Sequence, residues 1–172
     1  NKESDIKSSD ALILPGVGAF DNCINNLKRK NLDVILGEEV LNKNKPILGI
    51  CVGMQLFASY GEENGINKGL NWIPGKIKKI KPKKEFIIPH VGWNNISVVD
   101  DKFFKIINSN PNFYFDHNYY FDCDKKYILS YFDYGNKLTA AVSHKNIFGV
   151  QFHPEKSQVN GLKLFRGFFN LI

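Results

Sequence analysis

The sequence predicts an α/β domain, with a mostly parallel central sheet flanked by helices and an antiparallel β flank. Three observations predict it. The short apolar runs Ala11-Leu12-Ile13-Leu14 and Pro46-Ile47-Leu48-Gly49-Ile50 each give way to a helix-forming stretch. That strand–helix–strand–helix order implies parallel strands joined by right-handed crossovers. The second half changes to short β-rich runs separated by turn residues, and the chain closes on an amphipathic stretch. At 172 residues and 43% hydrophobic content, residues 1–172 suit one domain with one substantial core.

The elements follow in order. Ala11–Leu14 reads as a buried strand ended by Pro15-Gly16. Ala19 to Lys43 carries apolar residues at helical spacing, and we expect two helices with a break near Asn31. Pro46–Ile50 is a second buried strand, and Met54 to Tyr60 reads as a helix packed through Met54, Leu56 and Phe57. Later strands are expected at Ile77–Ile80, Asn95–Val99, Phe113–Phe115, Tyr127–Phe132, Leu138–Ser143 and Phe148–Phe152. Tyr134-Gly135-Asn136 and Lys145-Asn146 mark hairpin turns, and Gly161 to Leu171 is the closing helix.

Composition excludes several functions. The apolar fraction argues against disorder, and no apolar run approaches the roughly 20 residues that cross a bilayer. Asn1 to Asp5 is polar, without the apolar region of a secretory leader, and the first residue is not methionine, so a fragment is expected. Three cysteines with no CxxC spacing point to a reducing cytoplasm. The net charge is +6, yet of 23 basic residues only Arg29 and Arg166 are arginines. Nucleic-acid readers rely on Arg forks, so no nucleic-acid partner is expected, and no membrane. The run from Lys76 to Lys84 reads as a solvated strand and loop.

The chemistry is concentrated at Gly49-Ile50-Cys51-Val52-Gly53, where a buried strand runs into a helix. This is a G-x-nucleophile-x-G elbow with Cys in place of Ser. The nucleophile sits on a strained turn, and both glycines must be small for strand and helix to close around it. Its sulfur then projects from the carboxyl edge of the sheet, where open α/β sheets bind ligands. The following helix N-terminus favours a thiolate and offers N–H groups to an oxyanion. Cys23 and Cys123 have no such setting and read as structural. His153-Pro154-Glu155, after a β-like run, supplies a base and a carboxylate to orient it.

These residues resemble the class I, triad-type glutamine amidotransferases, and among them the glutaminase subunits of imidazole glycerol phosphate synthase. The matching segments are Leu14-Pro15-Gly16-Val17-Gly18-Ala19-Phe20, Gly49 to Leu56, Pro89-His90-Val91-Gly92-Trp93-Asn94, Phe113 to His117, and Gly149 to Ser157. The resemblance implies a flavodoxin-like fold and glutamine as substrate. Cys51 would form a γ-glutamyl thioester, His153 would shuttle the proton and Glu155 would orient His153. Val52 and the loop of Gly16, Val17 and Gly18 would hold the oxyanion, the loop reorienting to do so. Gln55, Glu63, Asn118 and Tyr119 would bind substrate. A (β/α)8-barrel cyclase subunit would be the heterodimer partner and take ammonia through a sealed channel. Trp93, Asn94 and Lys156 would face that interface, and His90 is expected to be a structural hydrogen-bonder. No cofactor and no metal are implied.

The chain departs from the family pattern in two places. Asp116 stands where a small apolar residue is usual, and Asn118 replaces a hydroxyl. An alternative is therefore a paralogue feeding ammonia to another synthase, such as one making amino or amidino sugars of surface polysaccharide. The family also has a strand and helix before the segment beginning at Ala11, so the domain is expected to be N-terminally incomplete by about one such unit, roughly 30 residues.

Overall fold

The structure, a computed structural model, describes residues 2–81, 83, 85–100, 104–107 and 111–171. Helix α1 (Glu3–Ser8) carries Glu3 and Asp5 in its first turn, where acidic groups offset the helix dipole. Lys45 reaches back to it, donating through Nζ to Ile6 O (2.6 Å) and Lys7 O (2.9 Å) while pairing with the buried Glu39 (2.8 Å). Strand β1 (Leu12–Gly16) follows, then α2 (Phe20–Arg29) and α3 (Leu32–Gly37), which runs on into a wide turn at Glu38–Asn42. The break between the helices falls at Asn31, whose left-handed backbone (φ 55°) neither helix can accommodate.

Strand β2 (Ile47–Cys51) is buried throughout, as a central strand covered on both faces must be. It is followed by α4 (Val52–Gln55), and then by β3 (Tyr60–Gly61), β4 (Asn67–Lys68) and β5 (Gly75–Lys79). Next come β6 (His90–Val98), β7 (Asn112–His117), β8 (Tyr119–Cys123), β9 (Ile128–Asp133), β10 (Lys137–His144) and β11 (Ile147–Val150). A short 3-10 turn at Pro154–Lys156 leads into α5 (Gln158–Phe169).

Seven strands form one mixed sheet in the order β1-β2-β11-β10-β9-β6-β7. β1, β2 and β11 are parallel, and the remainder is antiparallel, with hairpin turns at the two predicted places. The core lies on both sides of the parallel part, where Phe20, Phe57, Phe152 and Phe168 are fully buried.

The structure differs from the sequence expectation at three points. β1 is not buried throughout: it alternates, with Ile13 42% exposed, because it has only β2 beside it among the described strands. The helix expected over Met54–Tyr60 instead spans Val52–Gln55. The carbonyls that would continue it are taken by a later segment: Leu56 O accepts from Leu70 N (2.8 Å), and Phe57 O from Trp72 N (2.9 Å) and Ile73 N (3.0 Å). A second sheet, β4-β3-β5-β8, was also unforeseen. The lysine run enters it through β5, where Lys78 pairs with Asp122 (2.6 Å), while Pro82 and Lys84 lie outside the described residues.

Candidate active site

Cys51 ends β2 with φ 53° and ψ −115°, a conformation that costs a non-glycine residue about 1–3 kcal/mol. The surrounding glycines allow it by close approach. A Cβ on Gly53 would stand 1.8 Å from Leu14 O, and one on Gly49 would stand 2.6 Å from the Phe57 ring and 2.7 Å from the Met54 backbone. Gly16 pairs with Cys51 across the parallel ladder, and a Cβ there would meet Gly53 N at 2.6 Å. The elbow and the Pro15–Gly18 loop are thus pressed together. Because α4 is a single turn, its dipole is smaller than the expected longer helix would supply. Burial pushes the Cys51 thiol up to about 12, with the Val52 N–H acting against it.

The candidate base, His153, comes from the chain after β11. His153 is buried, its backbone N–H donates to Tyr114 O (2.8 Å), and its Nδ1 lies 2.7 Å from Glu155 Oε1. A carboxylate only accepts, so Nδ1 carries the proton and Nε2 is left as the basic nitrogen. Ser157 locks the segment, donating to His153 O (2.6 Å) and accepting from Tyr114 N (3.0 Å).

Cys51 and His153 line one cavity of about 310 Å³, a volume suited to a small polar metabolite. Val17, Gly18, Val52, Gln55, Glu63, Asn118, Tyr119 and Lys156 line it too. Other expected residues stand outside: Gly16 is packed behind the elbow, and Glu155 is an exposed side chain behind His153. Trp93 is 47% exposed and T-shaped against Tyr114 (6.2 Å between ring centres), and Asn94 donates inward to Asp133 O (2.9 Å) and His90 Nε2 (3.3 Å). Lys156 lies over the Tyr114 ring at 5.3 Å.

Several substrate candidates already serve the framework. Glu63 Oε2 accepts from Phe20 N (2.7 Å) at the start of α2, and Asn118 O accepts from Ile80 N (2.9 Å). Gln55 spends Nε2 on Tyr119 O (3.1 Å) and Gln151 Oε1 (3.0 Å). Asp116 does reach the cavity: its side chain is exposed, and its carbonyl lies 3.9 Å from Cys51 Sγ.

Sequence reasoning assigned no role to His117 or Gln151. His117 bonds His90 (3.0 Å) across the β6–β7 ladder, and burial lowers the two imidazoles to about 3 and about 4 respectively. Gln151 was detectable as the one amide in the apolar run Ile147–Phe152. Among the described residues, no three His, Cys, Asp or Glu side chains are grouped so as to hold a metal ion, and no helix is long and apolar enough to cross a membrane.

The family model described as glutamine amidotransferase class-I matches residues 1–171. The chain is 45% identical over 168 residues to imidazole glycerol phosphate synthase subunit HisH 2 of Vibrio vulnificus, covering 97% of this chain and 78% of that protein. It is 42% identical over 174 residues to the HisH subunit of Leptospira interrogans (98% and 85%), and 45% over 170 residues to that of Pelagibacter ubique (96% and 82%). A solved glutamine amidotransferase superposes with TM-score 0.75 at 16% identity, covering 99% of this chain and 82% of that one. PurLQS from Thermotoga maritima gives 0.69 at 18% identity, with 94% and 79% covered. At such identities the structural likeness is one of fold.

Proposed function

The chain belongs to the class-I glutamine amidotransferases, and from that premise we propose that it is the glutaminase subunit of an imidazole glycerol phosphate synthase, acting in the cytoplasm. One observation carries the chemistry: Cys51, on its strained elbow, shares a cavity with a histidine whose Nδ1–H is held by Glu155, leaving Nε2 free to take a proton. In the substrate complex His153 takes the thiol proton as the sulfur attacks the carboxamide carbon of glutamine. The tetrahedral oxyanion is held by the Val52 N–H and, once the loop after Gly16 reorients, by its Val17–Gly18 part, which lines the cavity; one such donor is worth about 3 kcal/mol. Collapse returns the proton to the leaving nitrogen, releasing ammonia and a γ-glutamyl thioester. His153 then activates water, and glutamate leaves.

Glu63, Gln55, Asn118 and Tyr119 would hold the polar end of glutamine. Glu63 is best placed for its ammonium, since only one carboxylate oxygen is engaged by Phe20 N. Ammonia is useful only unprotonated and out of bulk water, so a cyclase subunit must cover the cavity mouth. Lys156 at the cavity and the exposed Trp93 beside Tyr114 fit such a contact. Asn94 would act there through its backbone or through His90, because its amide points inward. The relatives' names favour the cyclase over a sugar-modifying synthase as ammonia acceptor.

The test is glutaminase turnover with and without a co-expressed (β/α)8-barrel cyclase and its nucleotide substrate. Stimulation by that partner is expected; stimulation only by a different synthase would replace the assignment. Cys51→Ala should lower turnover by more than about a thousandfold, as loss of a covalent nucleophile does, and retained activity would remove Cys51 from its role.

A further inference from the structure

A buried hydrogen-bond chain connects the β6–β7 ladder to the nucleophile, and its polarity can be deduced. The fixed point is Tyr119 O, a backbone carbonyl, which can only accept. His117 Nδ1 lies 2.7 Å from it and must therefore carry a proton, leaving Nε2 an acceptor. His90 Nδ1, 3.0 Å from that Nε2, must then donate, and His90 Nε2 accepts from Asn94 Nδ2 at 3.3 Å. In the other direction, the Gln55 atom 3.1 Å from Tyr119 O must be the amide nitrogen. Its second hydrogen goes to Gln151 at 3.0 Å, so the Gln151 atom there is the oxygen. This leaves the Gln151 Nε2 facing Cys51 Sγ at 3.7 Å. Which way the Gln151 amide points is thus decided by chemistry and not by the similarity of its two ends.

We propose that Gln151 is a positioning residue for the nucleophile: its amide N–H, aimed by the polarity that Tyr119 O imposes, holds Cys51 Sγ and favours its thiolate. Gln151 is 0% exposed, and its backbone N–H is tied to Ala140 O at 2.8 Å, so the side chain is anchored at both ends. A thiolate is a stronger acceptor than a thiol, so the bond tightens as the sulfur loses its proton. The Asp116 carbonyl, 3.9 Å from the sulfur, can only accept and so favours the thiol. The two contacts pull the sulfur's protonation in opposite senses, and Gln151 is the side chain on the thiolate's side. The proposal rests on Cys51 being the nucleophile.

The test is the pH dependence of Cys51 alkylation by iodoacetamide, followed by mass spectrometry on its own peptide, in the whole chain and in Gln151→Met and Gln151→Glu. The other titratable groups around the cavity (His153, His117, Asp116, Glu63, Tyr119 and Lys156, with Glu155 behind His153) are the same in all three proteins, and Gln151→Glu adds one carboxyl of its own. Gln151→Met removes the donor without adding charge, and alkylation between about pH 7 and 9 should be roughly tenfold slower at each pH. Gln151→Glu should slow it further, and in both variants kcat should fall while KM holds. Rates that stay put in both would overturn the proposal while leaving the nucleophile assignment, tested by Cys51→Ala, intact. The unaltered protein gives an independent reading should the variants not fold: the Gln151 side-chain amide 15N–1H signals should move when Cys51 is alkylated, and signals that stay in place would remove the contact and the proposal with it. Imidazole 15N shifts at neutral pH should place the proton on Nδ1 in both His90 and His117, which reads the separate branch from Tyr119 O.

Discussion

The two walls of the cavity are built on different physics. The elbow at Gly49–Gly53 is fixed by exclusion: there is no room for a side chain at either glycine, and Cys51 is held in a conformation it would not choose. The facing wall, from His90 to Tyr119, is fixed by pairing: every bond runs donor to acceptor from one carbonyl. The elbow holds Cys51 by close backbone approach, with no ionisable group but the thiol. The opposite wall depends on two imidazoles staying neutral. The first should be insensitive to pH and intolerant of volume, the second the reverse.

Gly53→Ala puts the largest load on this contrast. Its Cβ would lie 1.8 Å from Leu14 O, a backbone atom that can yield only if β1 leaves β2. A loss of more than about 4 kcal/mol is expected, to the same extent at every pH, enough to deplete the folded protein. Chemical denaturation of soluble material would measure it. A loss below about 1 kcal/mol would mean that the elbow is not fixed by exclusion.

The next largest effect belongs to the other wall. His90 and His117 are held at about 4 and about 3, below the ordinary histidine value near 6.5, by burial. The unfolded chain therefore binds protons that the folded chain refuses. Stability from this source is complete above about pH 6.5 and is lost as pH falls toward 3. The loss should be on the order of a few kcal/mol between pH 6.5 and 4. Urea midpoints across that range would measure it, and a flat profile would show that the imidazoles titrate without strain on the fold.

The contrast also explains how much could be read in advance. The elbow was visible because its determinants are adjacent in sequence: Gly49, Cys51 and Gly53 state their own steric requirement. His153 and Glu155 are likewise two residues apart and meet at 2.7 Å. The pairing wall is assembled across distance. His90 meets His117 only through the β6–β7 register, and Gln151 meets Gln55 from 96 positions away, so neither could be read from spacing. The same reason defeated the Met54–Tyr60 helix, whose local propensity was sound but whose carbonyls were claimed by residues 70–73. β3 and β4, two residues each, are too short to show a period.

A smaller effect is expected where the walls meet. Ser157 is buried, and its hydroxyl joins His153 O to Tyr114 N. Ser157→Ala strands both groups and should cost about 1–3 kcal/mol. Because it loosens His153 without lining the cavity, kcat should fall while KM is unchanged if His153 is the base proposed above. A rise in KM alone would place Ser157 in substrate binding.

Asn94→Asp tests the polarity of the paired wall with the smallest change of shape. The amide now donates to His90 Nε2 and Asp133 O, both acceptors. A carboxylate there faces two acceptors and has nothing to donate, so at pH 7 the variant should be less stable by about 1 kcal/mol. The sign then reverses with pH. A neighbouring negative charge favours imidazolium and raises the His90 value toward the ordinary one. The folded state accepts a proton that it formerly refused, and the deficit closes as pH falls from 7 toward 5. The two denaturation curves should therefore converge on acidification while the wild-type curve declines. Curves that stay parallel would mean that His90 does not take its polarity from residue 94, and that the chain ends at His117.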